Sequence, residues 1–170
     1  MEHNSFMLRD KSLVPLSRQH QHALALCVRI QRADLASPVE LKAWQSEVEQ
    51  HFALEIQYHF AAEEEHLFPV ARRYGELGSL VDELVAEHAQ LRNYFAQAKA
   101  RALDRAKLRE FAETLSSHIR KEERQLFEEM QKHMTAEELA ALGERVDETL
   151  AAAPQACITP TEESLKAQKA

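Results

Sequence analysis

His59-Phe60-Ala61-Ala62-Glu63-Glu64-Glu65-His66-Leu67-Phe68 and His118-Ile119-Arg120-Lys121-Glu122-Glu123-Arg124-Gln125-Leu126-Phe127 share one ten-residue frame. Both read histidine, an apolar residue, two variable positions, Glu-Glu, two variable positions, Leu-Phe. Residues four apart lie on one face of a helix, about one turn apart. His59 therefore points with Glu63, and His118 with Glu122. Phe52, Ile56 and Val70 flank the first pair, and Leu108, Phe111 and Leu115 precede the second, so both pairs face a helical interior. Carboxylates in such a place are costly unless they are paired or hold a metal.

The bare spacing is weak evidence. With nine histidines and 23 glutamates in 170 residues, about 1.2 His-x-x-x-Glu pairs arise by chance. Four occur: His51/Glu55, His59/Glu63, His118/Glu122 and His133/Glu137. The weight rests on the shared frame and on its placement in alternate helices.

Working outward, four long helical segments surround the repeat. Pro15 and Ser17 precede the first, roughly 17–34, with an apolar stripe of Leu16, Ala23, Leu24, Cys27 and Ile30. Ser37-Pro38-Val39-Glu40 opens the second, with serine as cap, proline at the first position and glutamate three after the cap. It runs to about Tyr74, with a kink expected at Pro69. Gly75 and Gly78 mark a turn, and the third helix covers about 79–101 on Leu80, Leu84, Leu91 and Phe95. Asp104 caps a fourth, about 105–132. Thr135 and Glu138 open a short fifth helix to about Ala152. The expected fold is all-α: an up-down-up-down four-helix bundle (15–152) with a short fifth helix, after an arm (1–14) and before a polar tail (153–170).

The first and third helices also offer histidines. His88 lies on the stripe of Val81, Leu84, Leu91 and Phe95. On the first helix His20 shares its face with Leu16, Leu24 and Cys27, whereas His22 sits with Arg18, Leu26 and Arg29. Face geometry favours His20 and leaves His22 as the alternative. Symmetric His and Glu ligands inside a four-helix bundle are a known solution for two metals. Imidazole with carboxylate suits iron, manganese or zinc.

These residues resemble the hemerythrin-like (His-His-Glu cation-binding) family over about residues 14–150. The resemblance is carried by Leu16-Ser17-Arg18-Gln19-His20, by His59-Phe60-x-x-Glu63-Glu64-x-x-Leu67-Phe68-Pro69, by Glu87-His88 and by His118-Ile119-x-x-Glu122-Glu123. It implies a bundle with two non-haem irons, bridged by two carboxylates and an oxygen species. His20 and His59 would hold one iron, His88 and His118 the other, and Glu63 and Glu122 would bridge. The oxygen-carrying members have a further histidine four residues before the one matching His88, where this chain has Leu84. The set of four histidines and two glutamates is closer to the branch associated with iron sensing and iron–sulfur repair. The resemblance therefore implies binding or sensing of oxygen, nitric oxide, redox state or iron, with a small diatomic or peroxide as ligand. Alternatives are a di-iron enzyme consuming peroxide or nitric oxide, and iron storage or donation. No further acid or base stands out beside the six, which favours a sensor over an enzyme.

Composition narrows the remainder. The net charge of −7 without a basic run disfavours nucleic-acid partners. No apolar run reaches the ~20 residues of a membrane span. Cys27 and Cys157 form no disulfide framework, and a reducing cytoplasm is the expected setting. Glu64, Glu65, Glu123 and Arg124 are expected to face solvent, as charge runs on helices do. Cys27 and Trp44 are expected in the core, and His51 near one end of it. His3, His66 and His133 are expected at the surface.

Overall fold

A computed structural model describes residues 8–155. Among these are five helices and no strand: α1 (Val14–Arg32), α2 (38–71), α3 (Gly78–Lys99), α4 (105–133) and α5 (Ala136–Ala151). His3, Cys157 and the tail beyond residue 155 lie outside the described residues. No described helix is long and apolar enough to cross a membrane.

The helix starts follow their local chemistry. The Ser37 side chain accepts from the Glu40 N–H, Asp104 from the Lys107 N–H, and Thr135 with Glu138 forms a reciprocal capping box. Each such cap is worth about 1 kcal/mol. α1 begins earlier than expected, at Val14, so Pro15 lies inside its first turn. Proline is at home there because the first-turn N–H groups have no helical partner to lose.

α2 and α4 are not plain α-helices. α2 contains π turns at Phe52–Ile56 and Glu63–Leu67, and α4 contains one at Glu122–Leu126. The Phe68 N–H reaches back five residues to the Glu63 carbonyl, and the Phe127 N–H does the same to Glu122. The break expected at Pro69 thus takes the form of a widened turn just before it. Proline is not its sole cause, because α4 repeats the turn without one. Both of these turns begin at the inward glutamate of the ten-residue frame.

The core is divided in two. One apolar cluster includes Ala23, Ile30, Trp44, Phe60, Leu91, Phe95, Phe111, Leu115 and Ile119. The other includes Leu16, Leu67, Phe68, Leu84, Leu126, Phe127, Leu139, Leu142 and Val146. Between them, at full or nearly full burial, lie His20, His59, Glu63, His88, His118 and Glu122. On α1 and α3 the inward histidine separates residues of the two clusters, and on α2 and α4 the clusters divide between the histidine and the end of its ten-residue frame. α5 packs along the 57–67 stretch of α2, and His66 hydrogen-bonds Thr149 of α5 at 2.9 Å.

Gly143 brings α5 close against Ser12, just ahead of α1. A Cβ there would lie 2.8 Å from the Ser12 Cβ and 3.1 Å from the Ser12 Cα. We predict that Gly143→Val destabilises the fold by about 1–3 kcal/mol, the usual cost of overpacking, read as a lower denaturant midpoint. An unchanged midpoint would show that this contact yields freely.

Candidate metal centre

The inward faces of α1 to α4 bring six side chains to one point. One ligand atom from each of His20, His59, Glu63 and Glu122 lies within 4.8 Å of the others, and the same holds for Glu63, His88, His118 and Glu122. The two groups share both glutamates. Of the two histidines open on α1, His20 reaches the cluster, while His22 is exposed and pairs with Glu55 at 3.2 Å. His51 is buried but lies outside both groups.

The carboxylates divide their oxygens between the two histidine pairs. Glu63 Oε1 lies 3.0 Å from His59 Nε2 and 3.8 Å from His20 Nε2, while its Oε2 lies 3.2 Å from His88 Nε2. Glu122 Oε2 lies 3.1 Å from His20 Nε2, while its Oε1 lies 3.2 Å from His118 Nε2. All four oxygens are buried, and none has a hydrogen-bond partner among the described residues. The ring nitrogens crowd as well: Nε2 of His20 and His59 are 2.9 Å apart, and Nε2 of His88 and His118 are 3.1 Å apart. Two such nitrogens at that distance need a proton between them or a cation beside them.

The outer nitrogen of every ring is already occupied. His20 Nδ1 meets Glu123 at 2.6 Å, His88 Nδ1 meets Glu64 at 2.7 Å, and His118 Nδ1 meets Glu87 at 2.8 Å. His59 Nδ1 meets the Gln19 side-chain oxygen at 2.8 Å. A ring that donates its Nδ1–H outward keeps the tautomer whose Nε2 lone pair points inward. Arg9 holds Glu123, Arg92 holds Glu64, and Lys121 pairs with Glu87. Two expectations are corrected here. Glu64 and Glu123 are not simply solvated, because each meets the outer nitrogen of a buried histidine on another helix. Acidic or amide partners do exist for the four histidines, one per ring. The signal was present in Glu63-Glu64, Glu122-Glu123, Gln19-His20 and Glu87-His88. Glu65 and Arg124 are exposed as expected.

The electrostatics show what the pocket does without a cation. Burial pulls the His20 pKa down, but Glu122, Glu123 and Glu63 raise it to about 9. Burial likewise opposes protonation of His118, and the charge and contact of Glu122 with the contact of Glu87 raise it to about 10. Burial pushes both buried carboxylates, Glu63 and Glu122, up, yet they come out below the ordinary range, because the histidines hold them charged. The Glu64 carboxyl falls to about 2, first through its contact with His88 and then, against burial, through Arg92. Protons on the imidazoles thus stand where a cation could stand. Four imidazole nitrogens and four carboxylate oxygens fit a metal ion well.

A family model for the hemerythrin HHE cation-binding domain matches residues 13–130. The chain belongs to this family of helical cation-binding domains. No curated protein and no solved structure matches it.

A pH dependence follows with a definite sign. His20 and His118 have raised folded-state pKa values. Their protonation therefore stabilises the metal-free fold below about pH 6.5 and is lost as pH climbs through about 9 to 10. Metal binding requires the same nitrogens free of protons and strengthens over that window. The melting-temperature gap between metal-loaded and metal-free protein should widen from about pH 6 to about pH 9. A gap that is flat or shrinks with rising pH would contradict the site.

Proposed function

We propose that the chain is a non-haem di-iron protein that binds or senses a small redox-active ligand such as oxygen, nitric oxide or peroxide. The supporting observation is the split of each buried carboxylate, one oxygen toward each histidine pair. In this reading His20 and His59 hold one iron, His88 and His118 hold the other, and Glu63 and Glu122 touch both. The helices run up-down-up-down: α1 and α3 pass from the Leu16/Leu84 cluster toward the Phe95 cluster, and α2 and α4 pass back. The domain spans 15–152, and the setting is the cytoplasm.

Bound iron would supply a one-electron couple at each position and coordination sites for a small molecule. The protein's part is positioning and exclusion. Four outward hydrogen bonds fix the ring orientations, and the two apolar clusters close the layer above and below. A small cavity lined by Gln19, Ala23, Glu55, Ile56, Phe60, Leu115 and Ile119 reaches His20, His59 and His118. Its small volume suits a molecule of a few atoms. Leu84, fully buried one turn before His88, supplies packing where oxygen carriers have another histidine. Neither iron is then saturated by the protein, which favours reaction or sensing over reversible oxygen carriage.

Protein made with ample iron should carry about two irons per chain, since the repeat supplies two half-sites. One tetrahedral zinc per chain would sink this reading. Steady consumption of peroxide or nitric oxide by the pure protein would move the function to an enzyme. A spectral change on ligand addition without turnover supports the sensor.

A further inference from the structure

The two halves of the site are related by the internal repeat, and the hydrogen bonds behind the ligands follow the same relation. The second glutamate of each frame reaches across to a histidine on another helix: Glu64 of α2 to His88 of α3, and Glu123 of α4 to His20 of α1. The residue just before each of those histidines supports the histidine of a frame: Glu87 to His118, and Gln19 to His59. The relation breaks at one place. Where α3 offers a carboxylate, α1 offers a neutral amide.

That difference falls on one half only. His88 and His118 both donate to carboxylates, Glu64 and Glu87. His20 donates to a carboxylate, Glu123, but His59 donates to an amide oxygen. A carboxylate accepting the Nδ1–H raises the basicity of the inward Nε2 more than an amide does, and such outer partners tune metal affinity by about 10–100-fold. The ligand atoms themselves are matched, two imidazoles and two shared carboxylates per position, so nothing in the first set of contacts offsets the difference. Gln19 also lines the cavity that reaches His20, His59 and His118.

We infer that the two metal positions are unequal and that Gln19 makes them so: the His88/His118 position holds its ion tightly, and the His20/His59 position holds its ion weakly and exchanges it. Gln19 is a positioning residue acting through His59. The inference rests on the paired-metal reading above and extends it to the order of loading.

The test uses the full chain loaded with Zn2+ and equilibrated against increasing chelator, followed by nitrogen-labelled histidine NMR. The His20 and His59 ring signals should change first, and the His88 and His118 signals only once the free Zn2+ has fallen by about a further 10-fold or more. Gln19→Glu should bring the two dissociation constants closer by about 10-fold, and Glu87→Gln should narrow the gap from the other side. A merely looser fold would weaken both positions alike and leave their ratio unchanged. Joint release of both ions, earlier release from His88 and His118, or a ratio unmoved in both variants would overturn the inference. A chain that accepts one Zn2+ only defeats the paired-metal reading and this inference with it, whereas two ions released together or in the reverse order overturn this inference alone.

Discussion

Two negative charges at the centre of the bundle set the terms for everything around them. Glu63 and Glu122 are fully buried, and an isolated carboxylate in such a place costs on the order of several kcal/mol even after relaxation. The chain answers with four imidazoles, one from each long helix. Without metal those rings take up protons, and His20 and His118 rise to about 9 and 10. With metal the same nitrogens become ligands. In either state the charge is balanced only if all four helices stay in register, so one polar layer fixes how the bundle closes.

The surrounding groups extend that balance to the surface. Glu64, Glu87 and Glu123 accept from the outer ring nitrogens and are themselves held by Arg92, Lys121 and Arg9. Each outer carboxylate is neutral together with its base, so the layer gains ring orientation without a further unpaired negative charge. Arg9 also bonds Gln131 and the Glu123 carbonyl. The segment ahead of α1 is thereby tied to α4 beside a ligand histidine, which couples this segment to the site.

Much of this was legible in the sequence because helical spacing maps directly onto faces. The His59/Glu63 and His118/Glu122 pairs, the inward His88, and the preference for His20 over His22 all follow from which apolar residues share a stripe. What spacing could not supply is which neighbouring helix each outer glutamate meets. A fixed α-helical period leaves Glu64 and Glu123 at the edge of the polar face. The packing of the helices decides the rest: Glu64 meets His88 and Glu123 meets His20. Gln19 and Glu87 were visible as the residues before His20 and His88. Their role depends on contacts across helices, to His59 and His118, which no period in one helix encodes.

The central claim is that Glu63 and Glu122 hold two metal ions in common, one beside each histidine pair. Diffraction from crystals of the iron-loaded protein, collected on both sides of the iron absorption edge, tests it most directly. The account predicts two iron peaks between Glu63 and Glu122, one beside His20 and His59 and one beside His88 and His118. A single peak, or peaks away from these six residues, would contradict it.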